Sequence, residues 1–198
     1  MTATTAPVAG TRRPSRGRTP GATIRGALID AAGRVLERDG RAALTVRAVA
    51  AEAGVAPMGV YNHLGGMDRL LGEVVTAGWR ALADAVGRQQ TLIAAGRAYR
   101  SFALDHRELY VLMSVESPPA IAPGPGTQAA LPTALNRLVV GCQSNGRVRP
   151  GPADVITRCL WSLWHGAVAL EIAGGRQRES GDAAYDMMLV MMSEGLRR

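Results

Sequence analysis

The sequence predicts an all-α protein with a small N-terminal three-helix domain followed by a larger helical domain. Apolar residues recur every three or four positions through most of the chain, which is the spacing of helices with one buried face. No segment shows a consistent strand-like alternation of apolar and polar residues. A glycine at position 54 divides one helical pattern into two short ones, which is typical of two helices joined by a tight turn.

Length and composition limit the class of protein. A chain of 198 residues is long enough for one compact unit, or for a small domain joined to a larger one. The hydrophobic fraction of 47% is ordinary for a globular protein, and no apolar run approaches the ~20 residues of a membrane helix. The basic N-terminus precedes no apolar stretch, so it is not a secretory signal. We therefore expect a cytoplasmic protein with no membrane partner.

The residue types that build most catalytic and metal sites are scarce. The histidines are His63, His106 and His165, and the cysteines are Cys142 and Cys159, none with the spacing of a metal site. The sequence also has no glycine-rich phosphate loop and no nucleophile elbow. We expect no metal, no cofactor and no enzyme activity, and we expect both cysteines to be small apolar residues of the core.

Positive charge is concentrated towards the N-terminus. Residues 1–66 contain nine arginines and four acidic residues, whereas residues 67–198 contain fourteen arginines and twelve acidic residues. The net charge is +7 and the chain has no lysine, so its cations are arginines, whose planar fork of donors suits phosphate. GC-rich codons also favour arginine. The skew in charge, and not the lack of lysine, therefore indicates a nucleic-acid partner.

Residues 1–21 form a separate basic segment, MTATTAPVAGTRRPSRGRTPG, without an acidic residue. Its composition is too polar to bury a core, so we expect a flexible arm. Two interpretations remain open. The segment is either a solvated tail or an arm that contacts the phosphates or the minor groove of DNA.

Residues 22–66 are expected to form the three-helix domain. Apolar residues at helical spacing define a first helix that Gly40 ends, and Thr45 is the predicted N-cap of the second helix. Gly54 supplies a sharp turn, and another helix follows from about residue 56 to residue 64. This arrangement is the helix-turn-helix of DNA-binding proteins, whose second helix enters the major groove.

Residues 67–198 are expected to form the second domain. Helical patterns cover residues 67–86, 92–102, 109–113, 131–142, 152–173 and 183–196, and a proline-rich loop covers 117–127. The last two helices are apolar nearly all round, so each must be covered on all sides. We interpret them as a homodimer interface, a four-helix bundle across a two-fold axis, in preference to two internal core helices.

The stretch TVRAVAAEAGVAPMGVYNHLGGMDRLL resembles the DNA-binding motif of TetR-family transcriptional repressors, and the resemblance covers residues 23–72. The family pattern has a threonine, an apolar helix, Ala-Gly-Val, a recognition helix with a tyrosine near its end, and a fourth helix. By position, the resemblance implies phosphate contacts at Thr45, Tyr61 and His63. It implies groove-facing positions at Arg47, Pro57, Met58, Gly59 and Asn62. Arg47 and Asn62 are the expected polar readers of bases.

Two positions depart from the family pattern. Leu64 replaces the usual aromatic residue, which changes only the packing. Met67 replaces the usual lysine at the start of the fourth helix, so one charged phosphate contact is lost. The helix N-terminus still offers backbone N–H groups to a phosphate. We therefore expect DNA binding to depend more on the arginine-rich arm, including Arg16 and Arg18.

The segment LWSLWHGAVALEIAGG resembles, more loosely, the Trp-His-Gly motif of one ligand-binding subgroup of the family, although His106-Arg107 stands where that subgroup usually has His-Pro. The resemblance implies an all-α domain whose binding of an unknown small-molecule effector weakens operator affinity. The candidate pocket residues are Tyr99, Phe102, Tyr110, Met113, Trp161, Trp164 and His165. For His165 two interpretations remain open, a core histidine with one hydrogen bond or a polar anchor of the pocket.

These features together predict a ligand-responsive repressor with a C-terminal helical domain for ligand binding and dimerisation. As a homodimer it would bind a palindromic DNA operator in successive major grooves, and an effector would release it. An activator and a ligand-independent DNA-binding protein remain as alternatives, because a helix-turn-helix indicates DNA but not the sign of regulation.

Overall fold

The computed structural model describes residues 21–114, 124, 126–174 and 178–197. This part is helical and contains no strand, which confirms the all-α prediction. Its α-helices are α1 Gly21–Asp39, α2 Val46–Glu52, α3 Met58–Leu64, α4 Met67–Gly87, α5 Leu92–Asp105, α6 Arg107–Ser114, α7 Ala130–Ser144, α8 Ala153–Gly174 and α9 Arg178–Gly195. None of these helices is long and apolar enough to cross a membrane. The predicted arm, apart from residue 21, and most of the loop predicted at 117–127 lie outside the described residues.

Helices α1, α2 and α3 form the N-terminal three-helix unit. Gly40 follows α1 with a φ of 77°, a conformation that glycine adopts without strain, so α1 ends where the sequence indicates. Thr45 has an extended backbone, and its Oγ1 accepts a hydrogen bond from the N–H of the third residue of α2 at 3.2 Å, which confirms the predicted N-cap. Leu28, Val49 and Val60 come from the three helices and are fully buried, so they close a common core.

Helix α4 connects this unit to the rest of the chain. It is 21 residues long and packs against α1 and α3 as well as against α5, α6 and α7. Leu70, Val75, Leu82 and Val86 recur at helical spacing and are fully buried. Gly78 allows α6 to approach, since a Cβ at this position would lie 2.5 Å from Sδ of a methionine on α6. One helix therefore runs from the recognition helix α3 into the core of the C-terminal part.

A nearly buried ion pair joins α5 to α8. Arg100 and Glu171 are 14% and 15% exposed and lie 2.5 Å apart, and Arg100 also reaches Asp182 of α9 at 2.5 Å. The Arg100 guanidinium lies 5.4 Å from the ring centre of Tyr185, whose hydroxyl donates to the Gly96 carbonyl at 2.9 Å. Since a charge left alone in such a site is costly, these contacts hold α8 and α9 onto α5.

Helices α8 and α9 are not internal helices of this chain. Leu163 and Leu170 of α8 are 46% and 76% exposed, and Met187 and Met191 of α9 are 61% and 65% exposed. The remaining large apolar residues exposed on these helices are Val155 and Val190. The interpretation as two fully internal core helices is therefore wrong for a single chain, because their outer faces are covered by none of the described residues. These exposed residues together are called the α8–α9 face below.

The two cysteines differ in environment. Cys142 is buried on α7, and burial raises the pKa of its thiol. Cys159 is exposed on α8, so the prediction that both cysteines are core residues is wrong for Cys159. The reason is its position beside Val155 and Leu163, on a part of α8 that the rest of the described chain leaves open. Neither cysteine forms a disulfide.

Candidate nucleic-acid interface and aromatic cluster

The turn between α2 and α3 has the geometry that the sequence indicates. Gly54 has a φ of 68°, in the left-handed region that favours glycine, and the Val55 N–H donates to the Ala50 carbonyl at 2.9 Å. Helix α3 begins at Met58, about two residues later than predicted, because the corner uses the intervening residues. Gly65 ends α3 with a φ of 74°. The short recognition helix is therefore held between two glycines with positive φ.

Six of the eight residues that the resemblance places at DNA are exposed. They are Thr45, Arg47, Pro57, Met58, Tyr61 and Asn62, while Gly59 and His63 are half-buried. Met58, Tyr61 and Asn62 lie three and four positions apart on α3 and therefore share one face. This exposed set on α3 is called the recognition face. Arg47 lies in the first turn of α2, two positions after its N-cap.

Two of the expected phosphate contacts have local structural tasks as well. The Thr45 hydroxyl accepts the cap hydrogen bond and keeps its own proton, which can be donated to a phosphate oxygen. The His63 ring lies against the start of α1, since a Cβ on Gly21 would be 3.7 Å from its Nδ1. His63 therefore lies between the end of the recognition helix and the first residue of α1.

Carboxylates neutralise several arginines of the N-terminal unit. Arg34 and Arg38 both pair with Glu52, at 2.8 and 3.0 Å, and these hydrogen bonds lower the pKa of the Glu52 carboxyl. Arg25 pairs with Glu73 of α4. The charge skew in the sequence therefore overstates the positive charge that these helices offer to DNA. Arg47 pairs with no carboxylate of the described residues and remains the cation of α2.

Sequence reasoning missed Arg69 as a candidate phosphate contact. Arg69 is exposed in the first turn of α4, and its side chain folds back over Gly65 at the end of the recognition helix. A Cβ on Gly65 would lie 3.2 Å from Cδ and 3.4 Å from Nη1 of Arg69. Its guanidinium is therefore placed beside the junction where Met67 replaces the family's lysine. The sequence did contain a signal for this contact, because Arg69 follows Met67, the replacement for the lysine, by two positions.

The structure gathers most of the predicted pocket residues into one aromatic cluster, composed of Tyr99, Tyr110, Trp161, Trp164 and His165. The Tyr99 and Tyr110 hydroxyls are hydrogen-bonded at 2.7 Å, and the Tyr110 hydroxyl is 2.7 Å from Nδ1 of His165. Tyr99, Tyr110 and Trp164 are almost completely buried. His165 is thus a half-buried histidine with one hydrogen bond, which fits either of its two interpretations.

Two predicted pocket residues lie beside the cluster without joining its hydrogen bonds. Phe102 packs against the imidazole of His106, with ring centres 4.9 Å apart. Met113 is buried where α6 crosses α4, close to Gly78. Both residues pack against the hydrophobic core, so their placement is what ordinary core residues show.

Two indole N–H groups of the cluster have no hydrogen-bond acceptor among the described residues. Nε1 of Trp164 and Nε1 of Trp161 are buried and form no hydrogen bond, although Trp161 lies near the Tyr99 hydroxyl. A buried donor without a partner costs about 1 to 3 kcal/mol, and such groups in folded proteins call for an explanation. A ligand that carries a hydrogen-bond acceptor would relieve this cost. No group of three potential metal-ligating side chains occurs among the described residues.

The pKa shifts of three buried tyrosines predict that the stability of the fold decreases at alkaline pH. Burial raises the pKa of Tyr99, Tyr110 and Tyr185 above the ordinary value of about 10. Because the folded state favours their neutral form, stability is complete below pH ~10 and is lost as the pH rises above it. In an alkaline pH titration, the absorbance of ionised tyrosine and the circular dichroism of the helices should therefore change together, because these tyrosines ionise as the protein unfolds. Tyr61→Phe, at an exposed position, should leave this transition unchanged. Full ionisation of the tyrosines in a folded protein would contradict the prediction.

A carboxylate of α1 caps a helix of the C-terminal part. Oε1 of Glu37 accepts a hydrogen bond from the Leu109 N–H at 3.0 Å, and Oε2 lies 3.4 Å from the Glu108 N–H. Both N–H groups belong to the first turn of α6, where a negative charge also complements the helix dipole. Since Tyr110 is the next residue on α6, this cap joins α1 to the aromatic cluster.

Two parts of the chain match known sequence families. Residues 28–74 match the family model of bacterial regulatory proteins of the tetR family, and residues 92–192 match that of the tetracyclin repressor-like C-terminal domain. An uncharacterised HTH-type transcriptional regulator of Mycobacterium tuberculosis is 27% identical over 187 residues, which cover 90% of this chain and 84% of that protein. The HTH-type transcriptional repressor DrrR1 of Streptomyces coeruleorubidus is 29% identical over 126 residues, 57% of this chain and 42% of that protein.

Solved structures share the fold. A protein of unknown function from Rhodococcus sp. RHA1 has a TM-score of 0.74 and 25% identity, covering 94% of this chain and 100% of that one. A TetR-family regulator from Pectobacterium atrosepticum has a TM-score of 0.71 and 20% identity, covering 91% and 98%. The resemblance to the Trp-His-Gly subgroup stays a prediction. With one family model on the helix-turn-helix and another on about half of the chain, the protein belongs to the TetR family of bacterial transcriptional regulators.

Proposed function

We propose that this TetR-family regulator is a repressor, that it binds a palindromic operator as a homodimer, and that a small-molecule effector releases it. The observation that carries the proposal is the recognition face on α3, held by the turn at Gly54 with its side chains exposed. The name of the Streptomyces relative, a transcriptional repressor, supports the sign of regulation. Residues 22–66 would contact DNA, and residues 67–198 would bind the effector and dimerise.

The α8–α9 face supports the homodimer. Its leucines, valines and methionines are apolar and exposed, and a second copy of the chain offers the same residues for a self-complementary contact. Such a dimer would present two recognition helices related by a two-fold axis. Successive major grooves lie about 34 Å apart along one side of DNA, so a palindrome with this half-site spacing is the expected operator.

The aromatic cluster is the proposed effector site. Its two unpaired indole N–H groups favour a largely apolar molecule that carries a hydrogen-bond acceptor. A ligand among Tyr99, Tyr110 and Trp164 has to displace α6, because Tyr110 is on that helix and is hydrogen-bonded within the cluster. Movement of α6 would change its hydrogen bonds to Glu37 and thereby shift α1. The effector would thereby shift the population towards a form in which the recognition helices no longer fit the operator.

The test of this function is selection of genomic DNA fragments by the purified protein at moderate salt, followed by sequencing of the retained fragments. An enriched palindrome would support a sequence-specific dimer, and genes beside it would indicate the chemistry of the effector. Retention of DNA without any enriched sequence, or of a motif without two-fold symmetry, would contradict the proposed operator binding.

Arg69 should contribute an ionic contact to DNA. We expect Arg69→Gln to weaken operator binding and to reduce the slope of log K against log salt by about 1, because each neutralised phosphate contributes about that much. Arg80→Gln is the matched control, since Arg80 is also an exposed arginine of α4 but lies three turns further along. The slope for both variants is measured by determining operator affinity at a series of salt concentrations. Equal slopes for wild type and Arg69→Gln would remove Arg69 from the interface.

The contribution of the Glu37 cap on α6 to stability can be measured without the effector. We expect Glu37→Gln to lower stability by about 1 kcal/mol, as loss of a charged cap does, and Tm by about 2–4 °C. Amide hydrogen exchange of residues 107–114 should become faster, because the first turn of α6 loses one of its two carboxylate acceptors and the negative charge. Asp30→Asn, an exposed change on α1, controls for loss of a charge. Unchanged exchange in Glu37→Gln would show that the contact does not hold α6.

A further inference from the structure

A polar groove lies between the C-terminal end of α4 and the outer side of α7. Its volume is about 840 Å³, within the range of roughly 300–1,000 Å³ of small-molecule sites. Several of its lining residues are small, which leaves the space between the helices open: Ala83, Gly87, Ala130, Ala134 and Gly141. The groove shares no residue with the aromatic cluster. It is therefore a second concave site, apart from the proposed effector position.

Three arginines line this groove. They are Arg88 at the end of α4, Arg137 on α7 and Arg147 in the loop after α7, and Asp84 is the carboxylate in the same lining. The Arg147 guanidinium donates to the Gln90 carbonyl at 3.2 Å, which holds it at the rim. Neutral donors also line the groove, in the side chains of Gln89, Gln90 and Asn145. The lining is thus rich in donors and carries an excess of positive charge.

These three arginines differ from five others of the chain in their pairing. Arg25, Arg34, Arg38, Arg97 and Arg100 all form ion pairs with carboxylates. Arg88, Arg137 and Arg147 form none with any carboxylate of the described residues. Three positive charges and the single carboxylate of Asp84 leave this concavity with a net positive charge, which attracts anions. This arrangement favours a negatively charged ligand over a neutral one.

We propose that the arginine groove, defined by Arg88, Arg137 and Arg147, binds a small molecule with at least two negative charges, in phosphate or carboxylate groups. Guanidinium groups match both anions with paired parallel hydrogen bonds. The small lining residues leave room for the body of the ligand, and the side-chain amides of the lining can bond its polar atoms. None of the lining residues belongs to α8 or α9, so the groove stays accessible if the α8–α9 face is covered by a second copy.

The test is calorimetric titration of the full chain with sodium pyrophosphate and with sodium citrate, each at constant ionic strength set with sodium chloride. Constant ionic strength matters because exposed charges are screened by salt. We expect saturable binding of at least one probe, and the probe that binds distinguishes phosphate from carboxylate recognition. In the double variant Arg88→Gln, Arg137→Gln, affinity should fall at least about tenfold, as loss of two charged hydrogen-bonding partners implies.

Two further variants separate the groove from general charge. Arg80→Gln makes the same kind of change on α4 outside the groove and should leave affinity within about twofold of wild type. Gly141→Leu fills the groove without changing charge, at a helical position where a Cβ meets no atom within 4 Å, and should weaken binding. An equal loss in Arg80→Gln, full affinity in Gly141→Leu, or no heat from either probe up to about 10 mM, where even weak sites saturate, would overturn the proposal.

Discussion

Leu163→Glu on α8 is expected to leave the protein monomeric by disrupting the proposed dimer. Leu163 is 46% exposed in the single chain and belongs to the α8–α9 face, which the proposed dimer buries. In the dimer the two-fold axis would bring two introduced carboxylates into an apolar contact, and burying unpaired charges costs several kcal/mol. In the monomer the same side chain remains in water, so the fold should persist.

The loss of the dimer should lower operator affinity by about 10²-fold or more, because one recognition helix then binds without the second half-site. Light scattering after gel filtration gives the oligomeric state, and fluorescence anisotropy with a labelled operator gives the affinity. Val140→Glu is a closely matched control, since Val140 is 45% exposed on α7, outside the α8–α9 face. A dimeric Leu163→Glu protein, or a monomer that keeps full affinity, would refute the role of this face.

The second large effect is expected at the end of the recognition helix. The double variant Tyr61→Phe, His63→Ala removes two polar groups that the family resemblance assigns to phosphates. If each hydrogen bond contributes about 1 kcal/mol, operator affinity should fall about 30-fold. Because phosphate contacts carry no sequence information, the fall should be similar for operator and for unrelated DNA.

Asn62→Ala provides the contrast within the same helix. Asn62 lies on the recognition face and is the expected reader of a base, so its loss should weaken operator binding more than binding to unrelated DNA. The thermal midpoint of each variant must be measured, since His63 also packs against Gly21 at the start of α1. If Tyr61→Phe, His63→Ala kept wild-type operator affinity, the docking of α3 described above would be wrong.

The helix-turn-helix could be predicted from the sequence because its determinants are local. Thr45 caps the N–H three residues further along its own helix, and Gly54 has the positive φ that a sharp corner needs. The apolar spacing of α4 likewise indicated which of its sides would be buried. Each of these features depends on residues a few positions apart, so periodicity and single residue types were sufficient.

Other features depend on residues far apart in the chain, and the sequence held no sign of them. The pairing of Arg34 and Arg38 with Glu52 reduces the positive charge that composition alone suggested for the N-terminal unit. Cys159 is exposed because none of the other described helices covers its side of α8. Both outcomes are decided by which helices become neighbours, and a count of charges or an apolar pattern does not contain that information.

By itself, the sequence determined the helices, the corner at Gly54 and the resemblance that leads to a TetR-family regulator, because helix period, capping and turn conformation are properties of short segments. Only the tertiary structure decided that Glu37 caps α6 and that Tyr110 joins Tyr99 to His165. These contacts join residues 11 to 72 positions apart. They exist because helices that are distant in sequence pack against each other, and only that packing decides which buried polar groups find partners.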